Sequence, residues 1–197
     1  MLRCTTRRTN RANASVLADW LGASLPIGRR SARYGDAVAR VRQPRVELLL
    51  VSSAGGHLQQ LLLLREAWGD RSRLWVTDDA ADTRSLLRDE DAVFGDAPSS
   101  RSWRSLVTNT VRAGRLLSRH RPDVVLTTGA AIAVPFAWLG RLFGAEVIYV
   151  ESVTRITSPS TTLRLVRPIA SRIYVQWPEL VEQVPRARYE GTVFATS

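Results

Sequence analysis

His57 stands in an unusual place. It is one of only two histidines in the chain, and it follows Ser52-Ser53-Ala54-Gly55-Gly56 between an apolar run over residues 46–51 and a leucine-rich stretch. Glycines behind a strand let the backbone turn tightly and come close to a ligand. A helix that starts there aims free N–H groups and the positive end of its dipole into the same space. A diphosphate suits such a seat, the dipole contributing about 0.3–1 kcal/mol and up to ~2 kcal/mol when partly buried. His57 would face whatever that anion carries. The plainer reading makes it a cap bonded to a loop carbonyl, and the spacing leaves both open.

Other polar residues fall at comparable points. Thr128-Gly129-Ala130 follows the run DVVLT and repeats the glycine-turn design. Glu151 follows VIYV and precedes Ser152 and Arg155, a position suited to a general base or a hydroxyl binder. It could equally cap a helix or pair with Arg155. Asp78 and Asp79 end another apolar run and could act in the same way or simply be solvated. Arg101 and Arg104 in PSSRSWRS could clamp a phosphate in bidentate fashion. SAGGH does not match G-x-G-x-x-G, and no residue is a lysine, which argues against a nicotinamide enzyme and a Walker-type nucleotide loop. One cysteine and two histidines exclude an internal disulfide and make a structural zinc site improbable.

The elements that must position these residues follow a regular order. Strands are expected over 46–51, 74–77, 92–94, 123–127, 147–150 and 173–175, with a last one ending near Phe194. Helices are expected over 57–68, packing Leu61, Leu62 and Leu64 inward, near 83–88, over 102–120 and over 161–170. The helical spacing of 102–120 runs through Leu106, Val107, Val111, Leu116 and Leu117. Another helix, kinked or started late by Pro135, carries Trp138, Leu139, Leu142 and Phe143 on one stripe that reads as core. Short apolar strands alternating with helices predict an α/β fold, a single Rossmann-like parallel sheet with helices on both faces.

Composition and charge narrow the function. At 197 residues and 45% hydrophobic, the chain has room for one domain and a tail, and enough apolar surface for a core. Its net charge of +10 is uneven. Residues 1–45 hold ten arginines against Asp19 and Asp36, while residues 46–197 hold 18 against 16 acids. A nucleic-acid binder should carry its positive charge on the folded part, so that class is disfavoured. The boundary suggests an Arg-rich leader over 1–44, disordered or resting on a membrane surface, and a folded domain over 45–197. The leader has no run long and apolar enough for a signal peptide or membrane span.

Taken together, SSAGGHLQQLL, WVTDDAADT, PSSRSW, PDVVLTTGAAIAVP, VIYVESVTRI and RIYVQWPELVEQVPRARYEGTVF resemble one family. It is the acceptor-side, membrane-associated subunit of the two-part UDP-N-acetylglucosamine transferase of the dolichol pathway, with its bacterial counterparts in exopolysaccharide and capsule synthesis. The resemblance implies the N-terminal half of a MurG-like, GT-B glycosyltransferase. It implies a small separate partner that binds the UDP-sugar, a lipid-diphosphate-linked saccharide as acceptor, and peripheral attachment to the inner face of the plasma membrane. It implies an inverting transfer without cofactor or metal. By motif, Ser53, Gly55, Gly56 and His57 fall in the family's glycine loop, and Asp78, Arg101, Gly129, Glu151 and Arg155 in its other polar positions. His57 or Glu151 would be the base, and the amides of Gly56 and Gly129, with Arg101, would bind diphosphate. TTGAA replaces the NGPG-like turn of the eukaryotic members, which favours a bacterial polysaccharide relative and leaves the sugar open. The rival reading is a non-catalytic membrane scaffold that recruits and activates a partner transferase.

Overall fold

The computed structural model of the chain describes residues 46–95 and 103–194. The leader and Arg101 lie outside the described residues. One seven-stranded sheet runs through the domain. Its strands are β1 (Leu48–Val51), β2 (Arg73–Asp78), β3 (Ala92–Gly95), β4 (Val124–Thr127), β5 (Glu146–Val150), β6 (Arg172–Val175) and β7 (Ala187–Tyr189). The spatial order is β3-β2-β1-β4-β5-β6-β7, and every pairing is parallel. Helices α1 (Gly56–Leu63), α2 (Arg65–Trp68), α3 (Ala81–Leu86), α4 (Trp103–His120), α5 (Ala133–Leu142) and α6 (Thr161–Val166) make the crossovers, and a 3-10 turn covers Pro178–Leu180.

The alternation of each strand divides the core. Leu48 and Leu50 face α1 and α2 with Leu58, Leu61 and Trp68, whereas Leu49 and Val51 face α4 and α5 with Ala113, Leu117 and Phe136. Both faces are covered, which is why LLLV can be apolar throughout. Each such leucine taken fully out of water contributes about 1.5–3 kcal/mol. Trp68 and Trp75 meet edge to face, with ring centroids 5.3 Å apart.

Several expectations are corrected. The helix over 57–68 breaks at Leu64, because the Leu61 carbonyl accepts both the Leu64 N–H and the Trp68 indole N–H and so leaves the regular ladder. Helix α6 stops at Val166, ahead of Pro168, whose ring cannot continue a helix. Pro135 marks a late start rather than a kink, since α5 begins at Ala133. The last strand ends at Tyr189, and the chain beyond it reaches the core through Val193, whose N–H donates to the Gln176 side chain. Helix α4 turns Asn109, Ala113 and Leu117 inward and leaves Leu106, Val107 and Val111 exposed. Of the stripe expected as core after Pro135, Leu139 packs against the core, whereas Trp138, Leu142 and Phe143 are exposed. Among the described residues, no helix is long and apolar enough to cross a membrane.

Candidate functional site

The strand order reverses direction between β1 and β4, so the crossovers leaving these neighbours diverge and open a crevice at their carboxyl ends. Both glycine turns lie there. At the first, Gly55 takes φ 77°, a left-handed conformation that L side chains adopt rarely, and α1 begins at the next residue. No side chain caps α1. The N–H groups of Gly56, His57 and Leu58 therefore stand at the positive end of the helix without an intrahelical acceptor. Gly55 and Gly56 are exposed, and a Cβ built on either would meet nothing within 4 Å. Ser53 is half-buried in the same turn.

The turn is pinned from β2. Asp78, only 6% exposed, accepts the Ala54 N–H on Oδ2 at 3.2 Å. Burial raises its carboxyl above the ordinary value, and the Ala54 hydrogen bond partly opposes the rise. Its Oδ1 has no partner. Asp79 instead points outward into an ion pair with Arg84.

His57 ties the first turn to the second. Its Nδ1 lies 2.8 Å from the Thr128 carbonyl oxygen, and the Thr128 hydroxyl donates to the His57 carbonyl at 2.8 Å. A carbonyl can only accept, so Nδ1 carries the proton and Nε2 keeps its lone pair. The plainer reading of His57, a histidine bonded to a loop carbonyl, is thus geometrically correct. The same bond also prepares the other nitrogen to accept a proton.

Gly129 takes φ 108°, and a Cβ on it would stand 2.7 Å from the Tyr149 hydroxyl and 3.4 Å from the His57 Cε1. Its own N–H donates to the Thr127 hydroxyl at 3.0 Å. The expectation that this amide binds diphosphate is corrected, because it already has an acceptor. Gly129 is needed instead for its conformation and for the closeness of Tyr149.

Glu151 is 0% exposed. Its Oε1 accepts the Ser152 N–H at 2.8 Å and its Oε2 accepts the Ser160 N–H at 2.9 Å. The carboxylate thus fastens both ends of the loop between β5 and α6, and its oxygens go to backbone amides rather than to Arg155. The Tyr149 and Ser160 hydroxyls share a hydrogen bond of 3.1 Å, and burial followed by the Glu151 charge drives the Tyr149 phenol far up, so it stays neutral. Arg155 is exposed, closes a turn through its N–H to the Ser152 carbonyl, and opposes that rise at Tyr149 through its charge.

Sequence reasoning missed Gln60, Tyr149 and Ser160. Gln60, buried in α1, donates to the Glu151 carbonyl at 2.8 Å and accepts the Val153 N–H at 3.1 Å, so α1 is fastened to the third loop as well. Two signals pointed to them. Gln60 falls three residues after His57 and four before Leu64, a polar residue on the buried stripe. Tyr149 shares the inward face of β5 with Val147, two positions earlier. The structure therefore brings Gly55, Gly56, His57, Gly129 and Glu151 together on neighbouring turns after β1, β4 and β5, which hydrogen bonds join.

The family model for "Oligosaccharide biosynthesis protein Alg14 like" matches residues 95–193. The UDP-N-acetylglucosamine transferase subunit ALG14 of Yarrowia lipolytica is 26% identical over 188 residues, covering 82% of this chain and 87% of its own length. Its counterpart in Candida albicans is 28% identical over 169 residues, covering 74% and 77%, and that of Mus musculus is 27% identical over 180, covering 75% and 83%. Among solved structures, Acinetobacter baumannii MurG superposes with a TM-score of 0.62 at 16% identity, covering 77% of this chain and 47% of that one. A UDP-N-acetylglucosamine 2-epimerase from Rickettsia bellii gives 0.58 at 12%, covering 76% and 45%. At these identities the likeness is one of fold, and the chain spans about half the length of the solved structures. The sheet order, the stitched glycine turns and a family model reaching across half of the sequence agree: the chain belongs to the Alg14-like family of oligosaccharide biosynthesis proteins.

Proposed function

We propose that the chain is the acceptor-binding subunit of a heteromeric, inverting glycosyltransferase. With a small donor-binding subunit it transfers a sugar from a UDP-sugar to a polyprenyl-diphosphate-linked saccharide, at the inner face of the cytoplasmic membrane, in polysaccharide synthesis. The names of the curated relatives, each a transferase subunit, support a transferase assembled from more than one polypeptide.

The acceptor diphosphate rests on the free amides of Gly56, His57 and Leu58, with Ser53 and Arg155 as polar neighbours. The acceptor hydroxyl oxygen attacks the anomeric carbon from the side opposite UDP. As that bond forms, the bond from the anomeric carbon to the UDP oxygen breaks, and the hydroxyl proton passes to Nε2 of His57. The Nδ1–H, held on the Thr128 carbonyl, stabilises the imidazolium that results. Glu151 is a positioning residue here, its two oxygens being engaged with Ser152 and Ser160. The observation that carries this reading is the reciprocal His57–Thr128 pair, which joins the two glycine turns and fixes the tautomer.

The test reconstitutes transfer from a labelled UDP-sugar to a lipid-linked acceptor with each subunit alone and with the pair. Neither subunit alone should turn over, and His57→Gln in an intact pair should lower kcat by about 10²–10⁴-fold. Transfer by the lone chain overturns the divided site. A pair that keeps full activity with His57→Gln and, separately, with Glu151→Gln makes the chain a scaffold for its partner.

A further inference from the structure

The sheet has a second end, away from His57 and the glycine turns. There, at the amino ends of β6 and β7, a cavity of about 520 Å³ is lined by Ser171, Arg172, Ile173, Arg186, Ala187 and Arg188. Among the described residues its walls thus hold three arginines and no acid. Strand pairing brings them together. Ile173 lies opposite Ala187 and Tyr174 opposite Arg188, so Arg172, two places before Tyr174, shares a face of the sheet with it and is a diagonal neighbour of Arg188. Both guanidinium groups bear on one phenol. Burial raises Tyr174 above its ordinary value, Arg172 opposes the rise by its charge and a hydrogen bond, Arg188 opposes it by its charge, and Glu190 adds to it.

Arg186 arrives by another route. It takes φ 69°, a left-handed conformation that glycine or asparagine adopts far more readily. Its Nη2 donates to the Arg167 carbonyl at the end of α6 at 2.6 Å, which holds the guanidinium beside the cavity. Like charges on neighbouring positions of paired strands repel one another. Packing does not repay that cost, because Arg186 and Arg188 are exposed. An anion between them would turn the repulsion into attraction, and the planar guanidinium fork matches phosphate oxygens in bidentate fashion. The volume falls within the ordinary range of small-molecule sites. A single phosphate would leave most of it empty, whereas two linked phosphoryl groups engage more than one arginine and leave room for the group that carries them.

We propose that the cavity at the amino ends of β6 and β7 is a second anion site, which takes a soluble small molecule bearing a diphosphate. It is distinct from the crevice. The four residues of β6 span roughly 13 Å, and the crevice opens beyond the carboxyl ends of the strands. An occupant here therefore leaves the amides of the first glycine turn free, and the two sites do not compete. The site goes beyond the transferase reading and does not rest on it.

The test is calorimetric titration of the full chain, leader included, with sodium pyrophosphate, and with sulfate and chloride at matched ionic strength. Pyrophosphate should bind measurably where the other two do not. Arg186→Gln/Arg188→Gln should weaken that binding about ten- to a hundredfold, the loss expected when charge-assisted bonds to an anion are removed. Arg188→Gln alone, which keeps the Arg186–Arg167 bond, should weaken it about tenfold and unfold in urea at the parent midpoint. Gly56→Ala, which crowds the other seat, should leave the affinity at this site unchanged. Equal affinity in the double variant overturns the proposal and gives the anion to the crevice or the leader. An equal response to sulfate or chloride also overturns it, since general screening would then suffice. So does a double variant that loses phosphatidylglycerol vesicles while keeping pyrophosphate, because the arginines would then read a lipid headgroup. Pyrophosphate binding that follows the arginines while the pair transfers no sugar would leave this site standing and remove the transferase reading alone.

Discussion

Gly129→Ala tests whether the crevice is built on a forced approach between the β4 turn and β5. Two costs arise. The residue sits at φ 108°, where an L side chain costs about 1–2 kcal/mol. The new Cβ would stand 2.7 Å from the Tyr149 hydroxyl, closer than carbon and oxygen tolerate, and relief by shifting a packed core costs about 1–3 kcal/mol. A loss of roughly 2–5 kcal/mol is therefore expected. Tyr149→Phe removes the offending oxygen, after which the nearest atoms are the His57 Cε1 at 3.4 Å and the ring carbon Cζ at 3.5 Å. Alone, Tyr149→Phe forfeits the hydrogen bond to Ser160, worth about 0.5–1.5 kcal/mol. Combined with Gly129→Ala, it should restore about 1–3 kcal/mol and leave only the backbone strain. Urea unfolding of the parent, both single variants and the double variant gives the coupling directly. Additivity within about 0.5 kcal/mol would refute the account, because the two groups would then not compete for one space.

Three further outcomes follow from the same geometry. Gly56→Ala should leave stability unchanged or raise it by up to about 1 kcal/mol, since a Cβ there meets nothing. The KM for the lipid-linked acceptor in the reconstituted pair should nonetheless rise about ten- to a hundredfold as the methyl crowds the charge-assisted bonds to the amides; a folded variant with unchanged KM would move the anion elsewhere. Glu151→Gln sets an amide NH₂ against the N–H of Ser152 or Ser160 and should cost about 1–3 kcal/mol in chemical unfolding. With His57 as base it should lower the rate without moving the acid limb of the pH–rate profile, and loss of that limb with stability intact would make Glu151 the base. Asp78 has its carboxyl raised above 3.8 by burial, so the native state holds the proton more tightly than the unfolded chain. The stability this gives is complete below 3.8 and is lost as pH rises through the higher native value. Asp78→Asn, which keeps an acceptor for the Ala54 N–H, should flatten that decline in urea midpoints taken across about pH 3–7; an unaltered decline would place its origin in another group.

The sheet was legible because its strands are buried on both sides: LLLV, VVLT and EVIYV are too apolar for a half-exposed strand and too short for a buried helix. The glycine turns were legible because their backbone conformation leaves a mark in the sequence. The partners of the site residues were not. Nothing in the spacing of Gln60 and Glu151, 91 residues apart, announces that one holds the other, because that contact is made by the order of the strands. The outward faces of α4 and α5 were misread for a related reason. Helical periodicity identifies an apolar stripe, but two stripes on one helix look alike until the sheet chooses between them. In α4 the small residue Ala113 and the polar Asn109 go inward and the larger Leu106 and Val111 go out, the reverse of what hydrophobicity alone would select.

The sequence left His57 between a structural and a chemical role; the structure shows the structural one, and in the proposed function the same bonds serve the chemical one. A histidine free in a loop would divide its proton between two nitrogens and its ring between rotamers, and as a base it would be correctly arranged only part of the time. The Thr128 carbonyl removes both freedoms at once. The Thr128 hydroxyl, by returning a bond to the His57 carbonyl, prevents the two turns from sliding apart. One turn further along α1, Gln60 holds the helix to the loop that Glu151 closes. An eight-residue helix is marginal by itself, so its position depends on these long-range bonds and on Leu58 and Leu61 beneath it. Fixing the His57 ring and fixing the helix that carries it are therefore the same physical act, and a change that loosens either must loosen both.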